Sequence, residues 1–219
     1  MFKKLKAKLE KMTQMHRQSI TAEISKFNDP IAEKTEWSPL KRGGSNFKTH
    51  NLEEVSSSLL KYKLSVGGIL FIGLFGLIGS IVAVVGLFLL ITGSTTGIFI
   101  ALFGGVFAGV AYIMYRKMGA PILFDATMGY IWIGRKPPKF SGDNKISNKL
   151  IYFNDIHAIQ ILSERVSSQK SSYYSYELNM ILKDGSRFAI VDHGNQAQII
   201  IDAETLSSFL GKPVWDISC

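Results

Sequence analysis

No Asp, Glu, Lys, Arg or His occurs from Leu64 to Tyr115, 52 residues counted inclusively, whereas charges are dense on both sides. As one helix this stretch would run about 78 Å at about 1.5 Å per residue, against a bilayer hydrocarbon core of about 30 Å. One span cannot absorb it. Small hydroxyl residues and a glycine interrupt it at Thr92-Gly93-Ser94-Thr95-Thr96, so the sequence predicts two transmembrane helices, about 66–91 and 97–115, joined by a tight turn. Two runs this long without a polar face do not suit a helical hairpin buried in a soluble core, and a fully soluble enzyme is excluded. Lys61 and Lys63 precede the first run, Arg116 and Lys117 follow the second, and the turn is uncharged. Cationic flanks stay inside, so both termini are expected in the cytoplasm and the chain is expected to be a multi-pass membrane protein. The first apolar run begins beyond residue 60, and residues 1–17 are too polar for an h-region, so a signal peptide is not expected.

Within the spans, Gly105 and Gly109 form a GxxxG step, and Gly76/Ser80 and Gly79/Ala83 repeat its small-xxx-small spacing. These residues are expected to pack the hairpin against itself, with a homo-oligomer as the open alternative. No ionisable residue lies inside the spans, which argues against an ion-coupled pathway and for an anchor.

Residues 1–63 hold 13 Lys+Arg and 7 Asp+Glu, a net of +6 out of the chain's +8. Phe2, Leu5, Leu9 and Met12 repeat at three and four residues among Lys3, Lys4, Lys6, Lys8 and Lys11, as on a short amphipathic helix. Its expected partner is the bilayer with its anionic headgroups; no nucleic acid is expected, since no aromatic interleaving or recognition module accompanies the lysines. Further on, Lys41-Arg42-Gly43-Gly44 has turn chemistry but no Walker spacing, and the loop between Trp37 and Phe47 is expected to dock through its aromatics on the cytoplasmic domain or the membrane interface. Residues 52–60 read as a short helical lead-in to the first span.

From Pro121 the pattern turns to period two, with candidate strands 122–125, 130–134, 149–153, 158–166, 174–182 and 187–192. Thr127-Met128-Gly129 and Asp184-Gly185 supply hairpin turns. One helix closes the chain, with Asn195 as N-cap, Gln198 as its reaching partner and Gly211 and Pro213 at its end. This sequence of about six strands and one amphipathic C-terminal helix resembles the pleckstrin-homology-like (PH-like) fold of bacterial membrane proteins, a bent antiparallel β-sandwich with a capping helix. The segments Val191-Asp192-His193-Gly194-Asn195 and Phe209-Leu210-Gly211-Lys212-Pro213-Val214-Trp215-Asp216, with the loop from Trp37 to His50, also resemble an uncharacterised group of bacterial two-span proteins. The expected organisation is a basic N-terminal segment (1–63), a membrane hairpin (64–117) and a PH-like cytoplasmic domain of all-β or α+β class (118–219).

Two loops are candidate surfaces. Tyr173, Tyr174 and Tyr176, with Lys170, offer rigid amphipathic contacts to an unidentified protein partner. Arg135, Lys136 and Lys139 form a basic loop suited to the membrane surface. Asp192-His193 is the most enzyme-like dipeptide, but no nucleophile pairs with it and its place between strand and helix N-cap has a structural account. Four scattered histidines and one cysteine, Cys219, give no metal-ligand spacing. No cofactor is expected. The function these features suggest is a membrane-anchored adaptor; an immunity protein against a membrane-acting toxin and a membrane-bound enzyme using His193 are the alternatives.

Overall fold

The computed structural model describes residues 22–40, 42–138, 150–167 and 171–218. The chain divides into two compact units, residues 47–152 in one and residues 1–46 with 153–219 in the other.

The first unit is an antiparallel meander of β1 (His50–Ser56), β2 (Leu59–Leu64), β3 (Ile122–Asp125), β4 (Tyr130–Ile133) and β5 (Leu150–Tyr152), paired in that order. Between β2 and β3, which are direct neighbours from Leu59↔Asp125 to Tyr62↔Ile122, the chain makes a complete helical hairpin. Helix α2 spans Val66–Ile91 and α3 spans Thr96–Met118. At about 1.5 Å per residue their 26 and 23 residues give about 39 and 34 Å. Both are long and apolar enough to cross a membrane, and only 11% and 17% of their most apolar stretches is buried within the chain, unlike a soluble core helix.

The junctions are tight. Ser65 is the single residue between β2 and α2; its hydroxyl accepts from the Gly68 N–H at 3.0 Å and donates to the Lys48 carbonyl at 2.6 Å. At the far end Gly93, at φ +90°, makes the turn into α3. The chain re-enters the sheet through Gly119, Ala120 and Pro121, whose carbonyl accepts from the Gly134 N–H at 2.8 Å. His50 ties β1 to the end of α3: its Nε2–H donates to the Met118 carbonyl at 3.0 Å while Nδ1 faces the Thr49 hydroxyl at 2.9 Å.

Residues 52–60, expected to be helical, are instead the end of β1, a turn at Ser57-Ser58 and the start of β2. Leu60, Tyr62 and Leu64 alternate with Lys61 and Lys63, and the apolar set is buried with Ile122, Phe124 and Ile131. The partner that makes β2 a strand lies beyond the hairpin, as in the pair Tyr62↔Ile122, which is why local sequence does not announce it. The compact unit accordingly takes in 47–63 as well as the first three strands expected of the C-terminal domain.

The second unit carries a mixed sheet in the order β8-β7-β6-β9: β6 (Ile156–Ser167), β7 (Ser172–Leu182) and β8 (Arg187–His193) are antiparallel, and β9 (Val214–Asp216) lies parallel to β6. Gly185 at φ +84° and the Asp184 carboxylate, which accepts from the Ser186 N–H at 2.8 Å, make the predicted Asp-Gly turn. Helix α4 (Gln196–Leu210) buries Ile199, Ala203 and Leu206, is capped by Asn195 accepting from the Gln198 N–H at 3.0 Å, and ends at left-handed Gly211. The Gln198 side chain does not reach back to the cap; it donates to Asp202 at 2.7 Å. The short α1 (Pro30–Lys34) and its flanks complete this unit: Phe27, Ile31 and Trp37 pack on Ala158, Ile181 and Trp215, and Asp29, the α1 cap, pairs with His157 at 2.7 Å.

The predicted apolar hairpin, antiparallel strand pairing and amphipathic α4 are present, but α4 does not close the chain: β9 follows it and, lying parallel to β6, makes the second sheet mixed. The segment expected to form an amphipathic helix, with Lys3, Lys4, Lys6, Lys8 and Lys11, lies outside the described residues, as do Lys139 and Lys170.

Candidate membrane-interface site

Alternation on β2 places Lys61 and Lys63 on the same face of the strand, opposite the buried Leu60, Tyr62 and Leu64. Directly after β4 the chain brings Arg135 to that face, and the last turn of α3 contributes Tyr115. The guanidinium of Arg135 sits 5.2 Å from the centre of the Tyr115 ring, a cation–π contact worth about 0.5–1 kcal/mol at an exposed site. These residues, with Ile69 and Leu123, line a groove of about 380 Å³ at the root of the hairpin. Lys63 pairs with Glu53 across the β1–β2 ladder at 2.6 Å, and that hydrogen bond with its charge holds the Glu53 carboxyl below its ordinary range. Among the described residues neither Lys61 nor Arg135 forms an ion pair. The groove is therefore positive at the level where two helices long enough to cross a membrane begin and end. Arg116 and Lys117 in the last turn of α3 add to it, Arg116 lying 5.9 Å from the Tyr112 ring centre.

Of the basic loop read from the sequence, Arg135 joins this groove, Lys136 is exposed outside it, and Lys139 lies outside the described residues. The sequence reading used Lys61 and Lys63 only as topology flanks. The period-two spacing of the two lysines was the signal that they share a face.

The tyrosine cluster is divided. On β7, Tyr173, Ser175, Glu177 and Asn179 face one side, and Tyr174 and Tyr176 the other. The Tyr173 hydroxyl donates to the Gly44 carbonyl at 2.8 Å, and Tyr176 donates to Gln196 at 3.3 Å. Tyr174 alone is substantially open, at 51% exposure.

What Tyr173 touches is a strap, residues 36–40 and 42–46, laid across the sheet by carboxylates that accept its backbone N–H groups. Glu177 accepts from Leu40 at 3.1 Å, Glu164 from Gly43 at 3.0 Å, and Asp192 from Ser45. Arg187 donates to the Ser38 carbonyl at 2.6 Å, and the Ser175 hydroxyl lies within hydrogen-bond reach of both the Ser45 carbonyl and the Asp192 carboxyl. Glu164 and Glu177 were not singled out in the sequence; nothing in their spacing marks them. The expected docking of this loop through Trp37 is observed, since Trp37 stacks on Phe27 at 5.5 Å, whereas Phe47 belongs with the hairpin, 5.9 Å from Phe71. Of the segment Lys41-Arg42-Gly43-Gly44, Lys41 lies outside the described residues, and the Gly43 N–H is engaged with the Glu164 carboxylate, which is the wrong charge for a phosphate cradle.

Asp192 and His193 point to opposite faces of β8. Burial raises the Asp192 pKa above its ordinary value; the Ser175 hydroxyl opposes this, Glu177 adds to it, the Ser45 N–H opposes it and Glu164 adds a smaller rise. His193 is completely buried, and its Nδ1 accepts from the Asn195 N–H at 3.2 Å, at the entrance to α4. The dipeptide thus holds two backbone segments, in line with the structural account of its position.

Gly105 and Gly109 do not pack the hairpin against itself: a Cβ on either would meet nothing within 4 Å. The seam is one residue over. Gly79 and Gly86 on α2 face Gly97, Gly104 and Ala108 on α3 so closely that a Cβ on Gly79, Gly86, Gly97 or Gly104 would strike backbone. The seven-residue spacing of Gly79/Gly86 and Gly97/Gly104/Ala111, rather than the GxxxG step, was the legible signal.

Comparison of the chain with protein families, with curated proteins and with solved structures finds no match.

Proposed function

We propose that this chain is a membrane-anchored interaction module of the bacterial inner membrane, with both termini and both β units on the cytoplasmic side. One observation carries the reading: the hairpin is built into the meander between adjacent strands, with Ser65 alone between β2 and α2. A sheet joined to its anchor this way is held at a fixed height at the bilayer surface, which raises its effective concentration toward membrane-bound partners. The cations around the junction, Lys61, Lys63, Arg116, Lys117 and Arg135, favour the cytoplasmic face. The PH-like resemblance fits a partner-binding role, with Tyr174 and the outer edge of β8, which is the end strand of its sheet, as the surfaces offered. The reading assigns no catalytic step, cofactor or nucleic acid to the chain.

The second reading, an immunity protein that packs its spans against a toxin in the bilayer, is favoured by the open faces of Gly105 and Gly109. Photo-crosslinking in native membranes separates the two. A specific protein adduct from a probe at Tyr174 supports the adaptor, and capture only from a probe at Gly105 transfers function to the spans.

A further inference from the structure

A second groove, of about 400 Å³, runs along one side of the hairpin over Gly73, Gly76 and Ser80 of α2 and Ala108 and Ala111 of α3. Ile69 and Tyr115 line both it and the basic groove at the hairpin root, so the two adjoin. From Ile69 to Ser80 is 11 residues, about 16 Å at about 1.5 Å per residue, close to half of the hydrocarbon core of about 30 Å. Small side chains leave the furrow open, and the Ser80 hydroxyl is satisfied by the Gly76 carbonyl at 2.7 Å, so the furrow offers an apolar wall. We propose that the hairpin unit holds one anionic phospholipid of the cytoplasmic leaflet, its phosphate against Lys61 and Arg135 and an acyl chain along the furrow from Ile69 to Ser80.

The charge order along the two grooves selects this occupant. Cations with no ion-pair partner among the described residues lie at the end where a headgroup would sit, Tyr115 and, one turn further in, Tyr112 supply amphipathic rings near that end, and small or aliphatic residues with the internally bonded Ser80 line the rest of the furrow. A soluble phosphate ester would use the cations and leave the furrow empty. A neutral lipid would use the furrow and leave Lys61 and Arg135 unmatched. The inference rests on the reading that α2 and α3 span the bilayer.

The test uses the full chain purified in mild detergent and incubated with equal amounts of phosphatidylglycerol and phosphatidylcholine of identical acyl chains, retained lipid being read by native mass spectrometry. Two cations facing one phosphate predict a preference for phosphatidylglycerol of about thirtyfold. K61Q/R135Q is expected to reduce that ratio to parity. Gly73→Leu, whose added Cβ meets nothing within 4 Å and so spares the fold, is expected to lower retention of phosphatidylglycerol, whereas Gly105→Leu, equally open but not lining the furrow, leaves it unchanged. Parity in the unaltered chain, a K61Q/R135Q ratio equal to it, or equal losses in the two glycine variants would each overturn the proposal. Displacement of the lipid by glycerol phosphate at matching concentration would also overturn it, in favour of a soluble phosphate ester. A chain recovered from cells wholly in the soluble fraction sinks the membrane reading itself; a membrane-resident chain without the preference sinks only the lipid site.

Discussion

Asp192 shows how a residue that looks chemical in sequence is given a structural task. Its carboxyl lies among Glu177 and Glu164 under the strap, and its raised pKa means that the folded chain keeps a proton where the unfolded chain has released it. Stability contributed by that proton is present at low pH and is lost as pH rises from the ordinary value of 3.8 through the raised folded value. Asp192→Asn keeps an oxygen for the Ser45 N–H and has no proton to lose, so its urea-unfolding midpoint, followed by Trp fluorescence, is expected to decline less over that interval than that of the unaltered chain. An equal decline would place the titration elsewhere. Gly44 and Gly194 are the other residues on which the strap depends: a Cβ on Gly44 would strike Asp192 and Ser175, and one on Gly194 the Asn46 backbone. Gly194→Ala is expected to destabilise this unit by about 1–3 kcal/mol, measured as a lowered urea midpoint. The Asp192-His193-Gly194-Asn195 turn was legible as structural from its place before a helix cap. Its debt to residues 36–40 and 42–46 was not, because contacts as distant in sequence as Arg187 to Ser38, 149 positions apart, leave no local trace.

At the scale of elements, the seam between α2 and α3 makes a sharp distinction between neighbouring glycines. Gly104→Leu would drive a side chain into the α2 backbone and is expected to cost about 2 kcal/mol or more, whereas Gly105→Leu projects into open space and should change stability by less than about 0.5 kcal/mol. Thermal unfolding of both variants in detergent reads the difference, and equal effects would contradict the seam. His50 is the clasp between β1 and α3. Burial lowers its pKa, the Met118 carbonyl opposing that shift, so the neutral imidazole contributes stability above the unfolded value of 6.5 that is lost as pH falls below it. His50→Ala, which leaves the part-buried Met118 carbonyl without this donor, is expected to destabilise the junction by about 1–2 kcal/mol and to remove this part of the pH dependence. Strands β3 to β8 were readable because their turns and alternation are local. The β1–β2 pair was not, because Leu52-Glu53-Glu54 has no strand signature alone and the partner of Leu60 and Tyr62 comes only after 57 residues of hairpin and connection, 65 to 121 counted inclusively.

Over the whole molecule, the charge-free interval dictated two apolar helices, and the structure adds how they are joined to the rest: as an insertion between paired strands, with cations of β2, α3 and the segment after β4 gathered at the hairpin root. The individual cations were visible in the sequence, but their convergence depends on β2 being a strand and on the return path through the whole hairpin, so the groove could not be read from spacing. The central claim is that this hairpin crosses the bilayer with both β units inside. Cys219 is the chain's only cysteine, so it can be labelled selectively, and a Ser94→Cys/Cys219→Ser variant moves the label to the turn between the helices. With a membrane-impermeant maleimide on intact spheroplasts, the account predicts modification of the variant at its introduced thiol and protection of native Cys219 until the membrane is permeabilised. Labelling of Cys219 in sealed cells, with the thiol in the turn protected, would contradict it.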